Sequence, residues 1–177
     1  INAGGLTGLQ IFPHDEIEII NEEGNQICEI VCFDKNGKSE LGILNLKVND
    51  KASFIRKILT KKVESSLITN HQLKKRNLNI NEANSAIVFD NDTPNGEKLK
   101  FKSKDKCYVI FAAPQNEMLI SDQNPSSDLT LFIKRSKIKD DKELSIIPDP
   151  VYEPNYEKNI DRQTAISYQV KEGDYIQ

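Results

Sequence analysis

The sequence is poor in the residues on which disulfide frameworks and metal centres depend. Its 177 residues include only three cysteines and two histidines. Three is an odd number, and the cysteines lack the spacing of a disulfide framework, which favours a reducing, cytoplasmic setting. The longest apolar run, residues 109–113, is far too short to cross a bilayer. A membrane is therefore not an expected partner.

No charged-then-apolar leader precedes the first predicted strand, so no signal peptide is visible. The chain begins at Ile1 and not at a methionine, and a targeting signal in a preceding segment stays an open alternative. Hydrophobic residues make up 37% and charged residues 29%, which is typical of a soluble globular domain with its own core. The length fits one domain or a domain and a fraction.

The net charge of −3 conceals an asymmetry. Residues 47–76 contain nine Lys or Arg and only two acidic residues, a local charge of +7, so the remainder carries −10. Such a segment is either a solvated helix face or a surface that docks onto an acidic neighbouring domain. Nucleic acid is not an expected partner, because Phe54 is the only aromatic nearby and an acidic body repels phosphate.

Short alternating or apolar runs separated by turn residues indicate β-structure along most of the chain. Asn36-Gly37 predicts a tight hairpin turn, because both residues tolerate positive φ angles. Residues 107–113 are almost wholly apolar, as in a strand that is buried on both faces. The predicted strands are residues 9–12, 16–19, 26–33, 41–46, 86–89, 99–102, 107–113 and 129–135.

The hydrophobic period changes to that of a helix after Asn49-Asp50, which offers an N-cap. We predict one amphipathic helix over about residues 52–67, followed by a basic loop over residues 71–79. The fold class is therefore mainly β: an antiparallel β-sandwich or partly open barrel, with the helix inserted near residues 50–85.

We predict three segments along the chain. Residues 1–136 form the β-rich domain, and residues 137–163, acidic and containing several prolines, form a linker. Residues 164–177 begin a truncated second copy, because residues 168–177 align with residues 9–18 without a gap and share Gln, Asp and Ile at matching places.

Several short motifs resemble the urea carboxylase-associated family. They are Gly4-Gly5-Leu6-Thr7, residues 15–26 with their Gly-x-Gln turn, Ala112-Ala113-Pro114, residues 123–129 and Ile133-Lys134-Arg135. A degenerate copy followed by a better preserved one is similar to long proteins whose C-terminal part is an aminomethyltransferase of the glycine-cleavage T-protein type.

This resemblance implies a function for the whole protein and a supporting role for this part of it. The whole protein is expected to transfer a one-carbon unit to tetrahydrofolate. These residues are expected to form a non-catalytic N-terminal module that binds no cofactor and packs against downstream domains, in a protein that is a candidate for oligomerisation. We assign no catalytic, cofactor-binding or metal-ligating residue.

An alternative is a metal-dependent hydrolase or deaminase of a small urea-like or guanidine-like compound. Members of the resembled family use clustered Cys and His residues, and no such cluster is visible in this sequence. Under this alternative the metal ligands would come from His14, Cys28 and Cys107 across strands. A third alternative is a partner-binding domain in an oligomer, with the basic helix as its surface.

The remaining candidate residues have structural interpretations. Cys28 and Cys32 are about 13 Å apart along a strand, too far for one metal ion, so we predict buried thiols there and at Cys107. His14 fits a turn and His71 a solvated loop. Residues 122–128 offer a polar contact loop, for which Asx-turns are the simpler explanation.

Overall fold

The computed structural model describes residues 1–115 and 125–136, together with residues 165, 167 and 169, which are exposed and irregular. The described part contains seven strands and two α-helices. They are β1 (Leu6–Ile11), β2 (Glu16–Asn21), β3 (Cys28–Phe33), α1 (Ser53–Leu59), α2 (Glu64–Lys75), β4 (Ser85–Phe89), β5 (Glu97–Lys102), β6 (Cys107–Ala112) and β7 (Thr130–Lys134), with 3₁₀ turns at Leu41–Leu44 and Ile80–Glu82.

The strands form two antiparallel sheets, one of four strands in the order β1-β6-β3-β4 and one of three in the order β5-β2-β7. In the larger sheet Val109 lies between Leu9 of β1 and Cys32 of β3. In the smaller sheet Ile19 lies between Leu99 of β5 and Leu131 of β7. The predicted fold class, mainly β and antiparallel, is confirmed, and neither described sheet closes into a barrel.

The four-stranded sheet is the middle layer of the domain. Every residue of β3 and β6 is buried. One face packs on the three-stranded sheet through residues such as Ile30 and Phe111, and the other packs on α1 and α2 through residues such as Val31 and Ile110. A strand covered on both faces favours apolar residues on both, so the apolar character of residues 107–113 is explained and the prediction confirmed.

The single helix predicted over residues 52–67 is in fact two helices. The chain turns after Leu59, where Thr60 Oγ1 donates to the Lys57 carbonyl at 2.8 Å. Side chains of α2 then satisfy the last carbonyls of α1: Ser66 Oγ donates to Ile58 O at 2.8 Å and Asn70 Nδ2 to Leu59 O at 2.9 Å. Because α2 continues to Lys75, the loop predicted from residue 71 is wrong at its start.

The strand predicted over residues 41–46 is also wrong. The hairpin turn itself is confirmed, with Gly37 at a φ of +80° and a bridge between Phe33 and Ser39. The chain then enters the 3₁₀ turn Leu41–Leu44, where the Glu40 side chain accepts a hydrogen bond from the Gly42 amide at 3.1 Å. Leu41 and Leu44 are both buried, and their spacing of three matches the 3₁₀ period.

The edge of the four-stranded sheet at β4 is covered by the segment before α1. The Asn49 side chain makes the hydrogen bonds that a neighbouring strand would make. It accepts a hydrogen bond from the Ile87 amide at 2.7 Å and donates one to the Ile87 carbonyl at 2.9 Å. Asp50 pairs with Ser85 through the backbone. These contacts occupy backbone groups that an edge strand leaves open to another chain.

The predicted linker, residues 137–163, lies outside the described residues, as does most of the predicted second copy, residues 164–177. Both stay predictions. Neither α1 nor α2 is long and apolar enough to cross a membrane.

Candidate functional site

The most unusual polar group of the described part is Glu29, a fully buried carboxyl near the start of β3. Its Oε2 accepts a hydrogen bond from the Ile55 amide at 2.6 Å, and its Oε1 accepts one from Ser85 Oγ at 2.8 Å. Ser85 Oγ in turn accepts from the Ala52 amide at 2.8 Å. One side chain therefore connects β3, β4 and the start of α1.

Burial raises the pKa of Glu29 to about 7, and a hydrogen bond with Asp50 raises it further. The hydrogen bonds from Ile55 and Ser85 act in the opposite direction and lower it. The pKa of Asp50 is lowered, because hydrogen bonds from Ser53, the backbone and Glu29 outweigh its partial burial. Below about pH 7, Glu29 therefore holds a proton that it donates to Asp50.

A carboxyl with a pKa near neutrality is also found in catalytic acids and bases. The recorded hydrogen bonds of Glu29, however, go to Ile55, Ser85 and Asp50 of its own domain. An open cleft lies elsewhere in the described part, between β1 and β7. We therefore interpret Glu29 as a residue that positions α1 on the sheet.

The sequence analysis missed this cluster, although the sequence contains a signal for it. Glu29 is the only charged residue in the otherwise apolar run 27–33. A carboxyl inside such a run must find partners within the fold. The partners Asp50 and Ser85 are distant in the sequence, and the pattern of β3 alone does not identify them.

A second buried carboxyl, Asp15, holds the end of β7. It is 1% exposed and pairs with Arg135, whose Nη1 lies 2.6 Å from Asp15 Oδ2. The amides of Phe12 and Ser136 also donate to it, at 3.0 and 2.8 Å. Arg135 Nη1 donates further to the Gln10 carbonyl at 2.9 Å. The residues just before position 137 are thus tied to the turn between β1 and β2.

His14 lies in this same turn. Its φ is +67° and its side chain is exposed. Its backbone amide donates to the Ser103 carbonyl at 2.8 Å. His71, by contrast, is half-buried on α2, not in the loop where the sequence placed it.

The three cysteines are free and buried, as predicted. Burial raises the pKa of the Cys28 thiol above its usual range. Cys32 and Cys107 lie on neighbouring strands, and a hydrogen bond between them, together with burial, raises the pKa of Cys32. The same hydrogen bond lowers the pKa of Cys107. Because the thiolate is the metal ligand and the nucleophile, the raised pKa values of Cys28 and Cys32 are typical of core thiols.

The structure does not bring His14, Cys28 and Cys107 together, although the metal-dependent alternative requires this. His14 is exposed in its turn, whereas Cys28 and Cys107 are buried in the core between the sheets. Over residues 1–115 and 125–136, no group of three His, Cys, Asp or Glu residues is arranged to hold a metal ion.

An open cleft of about 450 Å³ lies between the edge strands β1 and β7. One end is closed by backbone pairing of Ile1 with Leu129. The one charged side chain in the lining is Asp128, which accepts from the Ala3 amide at 2.8 Å. The lining residues are Ile1, Thr7, Leu9, Asp128, Leu129, Thr130 and Leu131. Such a lining offers a surface for packing and no acid–base or nucleophilic pair.

The polar loop predicted at residues 122–128 is described only from residue 125 onward. Ser127 is buried, and its amide donates to Gln26 Oε1 at 2.9 Å. Gln26 Nε2 also donates to the carbonyls of Ile27 and Pro114, at 2.9 Å each. The described part of the loop is therefore fastened to the core.

The basic segment, residues 47–76, covers α1, α2 and the turns beside them. Lys57, Lys61, Lys62, Lys74 and Lys75 are exposed. The two helices form the outer layer on the side opposite the three-stranded sheet. One outer layer of the domain is therefore strongly basic.

No family model matches this chain. The chain is 33% identical over all 177 residues to a trimethylamine-oxide aldolase of Ruegeria pomeroyi, and it spans 22% of that relative's length. The similarity thus covers one segment of a much longer enzyme. Membership in the urea carboxylase-associated family stays a prediction.

Proposed function

We propose that this chain is a non-catalytic domain of a longer protein that acts, like the Ruegeria relative, as an aldolase on trimethylamine N-oxide. Its role is to pack against the other domains and support the site that they carry. The observation behind this proposal is the match itself, which runs through the whole chain and yet covers only about a fifth of the relative.

The polar chemistry of the described residues supports a structural role. Glu29 and Asp15 bind groups of their own domain. The Cys28 thiol is buried, and its pKa is raised. Glu29 and Asp15 each join secondary-structure elements of the domain, which is what a supporting module requires.

The chemistry of the substrate agrees with the one-carbon transfer that the sequence resemblance implies. An aldolase releases an aldehyde, and every carbon of trimethylamine N-oxide is a methyl carbon. The aldehyde is therefore formaldehyde, the other product is dimethylamine, and no atom is left over. Formaldehyde is a one-carbon unit that tetrahydrofolate accepts, so we propose a folate-binding domain elsewhere in the longer protein.

The proposal is tested by comparing the isolated chain with the longer polypeptide. Both are incubated with trimethylamine N-oxide, and formaldehyde and dimethylamine are quantified. We expect the longer polypeptide to release both products in equal amounts and the isolated chain to release neither. We also expect the isolated chain to bind tetrahydrofolate weakly or not at all.

Two results would overturn different parts of the proposal. Turnover, a stoichiometric metal ion or tight folate binding in the isolated chain would show that the domain carries a site of its own. An inactive longer polypeptide would contradict the assignment to an aldolase.

A further inference from the structure

The buried face of helix α2 is mainly polar, unlike that of an ordinary surface helix. The residues that it buries are Ser66, Thr69, Gln72 and Leu73, three of which are polar. Ser66 is buried because it completes the hydrogen bonds at the end of α1. A surface helix normally buries its apolar stripe and exposes its polar residues.

The exposed apolar residues of this region lie at the start of α2. Val63, the N-cap residue, and Leu67 each expose 44% of their surface, and the Leu67 amide donates to the Val63 carbonyl at 3.0 Å, so the two lie one turn apart. Lys61 and Lys62 precede the helix, and Lys74 follows seven residues after Leu67, on the same side of the helix. We define these five residues as the α2 outer face: two apolar side chains and three exposed lysines, beside the single exposed carboxylate of Glu64.

The α2 outer face differs from the other exposed face that combines apolar and basic residues. On the three-stranded sheet, Phe132 is 54% exposed among lysines. Those lysines pair with glutamates of β2: Lys100 Nζ lies 3.2 Å from Glu18, and Lys134 Nζ lies 3.4 Å from Glu16. Lysines of that sheet are therefore matched by glutamates, whereas Lys61, Lys62 and Lys74 form no ion pair within the described residues.

This charge excludes one kind of partner and favours another. A second copy that docked through the same face would place two basic segments against each other across a two-fold axis. Nucleic acid binding to single strands relies on exposed aromatic side chains, and the α2 outer face offers Val63 and Leu67 in their place. A protein surface with carboxylates around an apolar centre complements the α2 outer face in both respects.

We propose that the α2 outer face is the surface through which this domain docks, and that its occupant is an acidic, apolar-centred surface in the remainder of the longer polypeptide. This proposal rests on the proposed function, which places the domain in such a polypeptide. In the relative, almost four-fifths of the length lies outside the matching segment, so the occupant has ample chain to come from.

The test is zero-length cross-linking of lysines to carboxylates in the longer polypeptide, followed by mass spectrometry. We expect Lys61, Lys62 and Lys74 to link to carboxylates outside residues 1–177. In a variant with Lys61→Glu, Lys62→Glu and Leu67→Ser, we expect the yield of the remaining Lys74 links to fall at least about fivefold, as for the loss of an interface centre.

The matched control carries Lys98→Glu, Lys104→Glu and Phe132→Ser, which makes the same charge change and removes one exposed apolar side chain on the three-stranded sheet and its adjoining turn. We expect the control to keep the Lys74 links. Thermal unfolding of both variants as isolated chains shows whether the domain still folds. Equal loss of the links in both folded variants would overturn the docking surface.

The outcomes separate the two proposals. Absence of these links in a polypeptide that releases formaldehyde overturns the docking surface and leaves the proposed function standing. Links in a polypeptide that releases none support the docking surface and contradict the proposed function. Links between two copies at the α2 outer face, or a gel shift of single-stranded DNA that the variant abolishes, would identify a different occupant and overturn the proposal.

Discussion

The two faces of the four-stranded sheet are stabilised in different ways. Toward the three-stranded sheet, the sheet presents side chains such as Ile30, Cys32 and Phe111, and the buried core there is apolar. Toward the helices, the same strands present Val31 and Phe33 together with the carboxyl of Glu29. The first face depends on packing that is insensitive to pH, whereas the second includes one proton whose binding stabilises the helical layer.

The largest effect is expected from the apolar face. Phe111 is fully buried between the sheets, and Phe111→Ala removes a large side chain from a close-packed region. We expect the free energy of unfolding to fall by about 3–5 kcal/mol, measured by urea denaturation. Phe132→Ala, at a 54% exposed position, is the control and should cost well under about 1 kcal/mol. Equal costs would show that the sheets do not share a packed core.

The helix-facing side is tested by Glu29→Gln. Glu29 has a pKa of about 7 in the folded protein and an ordinary value of 4.5. Between these values the folded state keeps a proton that the unfolded chain releases. The stabilisation is fully present below pH 4.5 and is lost as the pH rises through about 7, which corresponds to a loss of about 3 kcal/mol.

A glutamine at this position can donate to Asp50 at every pH, so the variant should lose this fall in stability between about pH 4.5 and pH 7. The measurement is the free energy of unfolding at a series of pH values. Glu82→Gln, at an exposed position, should leave the pH dependence unchanged. A wild-type curve that rises over this range would contradict the assignment of the proton to Glu29.

A charge also exists on the sheet-facing side, but at its rim. Arg135→Ala removes the partner of buried Asp15, and a buried carboxylate that loses such a partner costs about 2 kcal/mol. The neighbouring pair of Lys134 and Glu16 is exposed, with an N–O distance of 3.4 Å. Lys134→Ala should therefore cost less than about 1 kcal/mol. Similar costs for both variants would show that burial of Asp15 does not strengthen its pair.

The smallest effect concerns the contact between the helices. Ser66→Ala removes the hydrogen bond to the Ile58 carbonyl at the end of α1 and should cost about 1 kcal/mol in urea denaturation. Ser65→Ala, one residue earlier and half-buried, should change stability less. If the order of the two is reversed, the buried polar face of α2 does not hold α1 in place.

The difference between the two faces also explains which predictions from sequence succeeded. The alternation of apolar and polar residues and the positions of turn residues depend on the local environment of each strand. The strands around Ile17, Val31 and Val109 were therefore predicted correctly. The break between α1 and α2 depends on hydrogen bonds from Ser66 and Asn70 to carbonyls of the preceding helix, and no periodicity reports such contacts.

The polar clusters were missed for the same reason, because their members are distant from one another in the sequence. Glu29 is visible as a charge in an apolar run, but its partner Ser85 is 56 residues away. Arg135 is 120 residues from Asp15. Sequence reasoning predicted burial of Cys28 correctly because burial of a free thiol depends mainly on its own strand. The sequence predicted only a basic segment at the α2 outer face. Which residues of α2 are buried and which are exposed depends on how the helix packs, and the sequence pattern does not show this.

The central proposal is that these residues support a catalytic site in the longer protein without contributing to it. Its most direct test is kcat for trimethylamine N-oxide in the longer polypeptide carrying His14→Ala, Cys28→Ala and Cys107→Ala, the three residues that a metal site in this domain would need. We predict that kcat is unchanged within about twofold, since these are core and turn positions. A large fall in kcat, in a variant that unfolds at the same temperature as the parent protein, would contradict the claim.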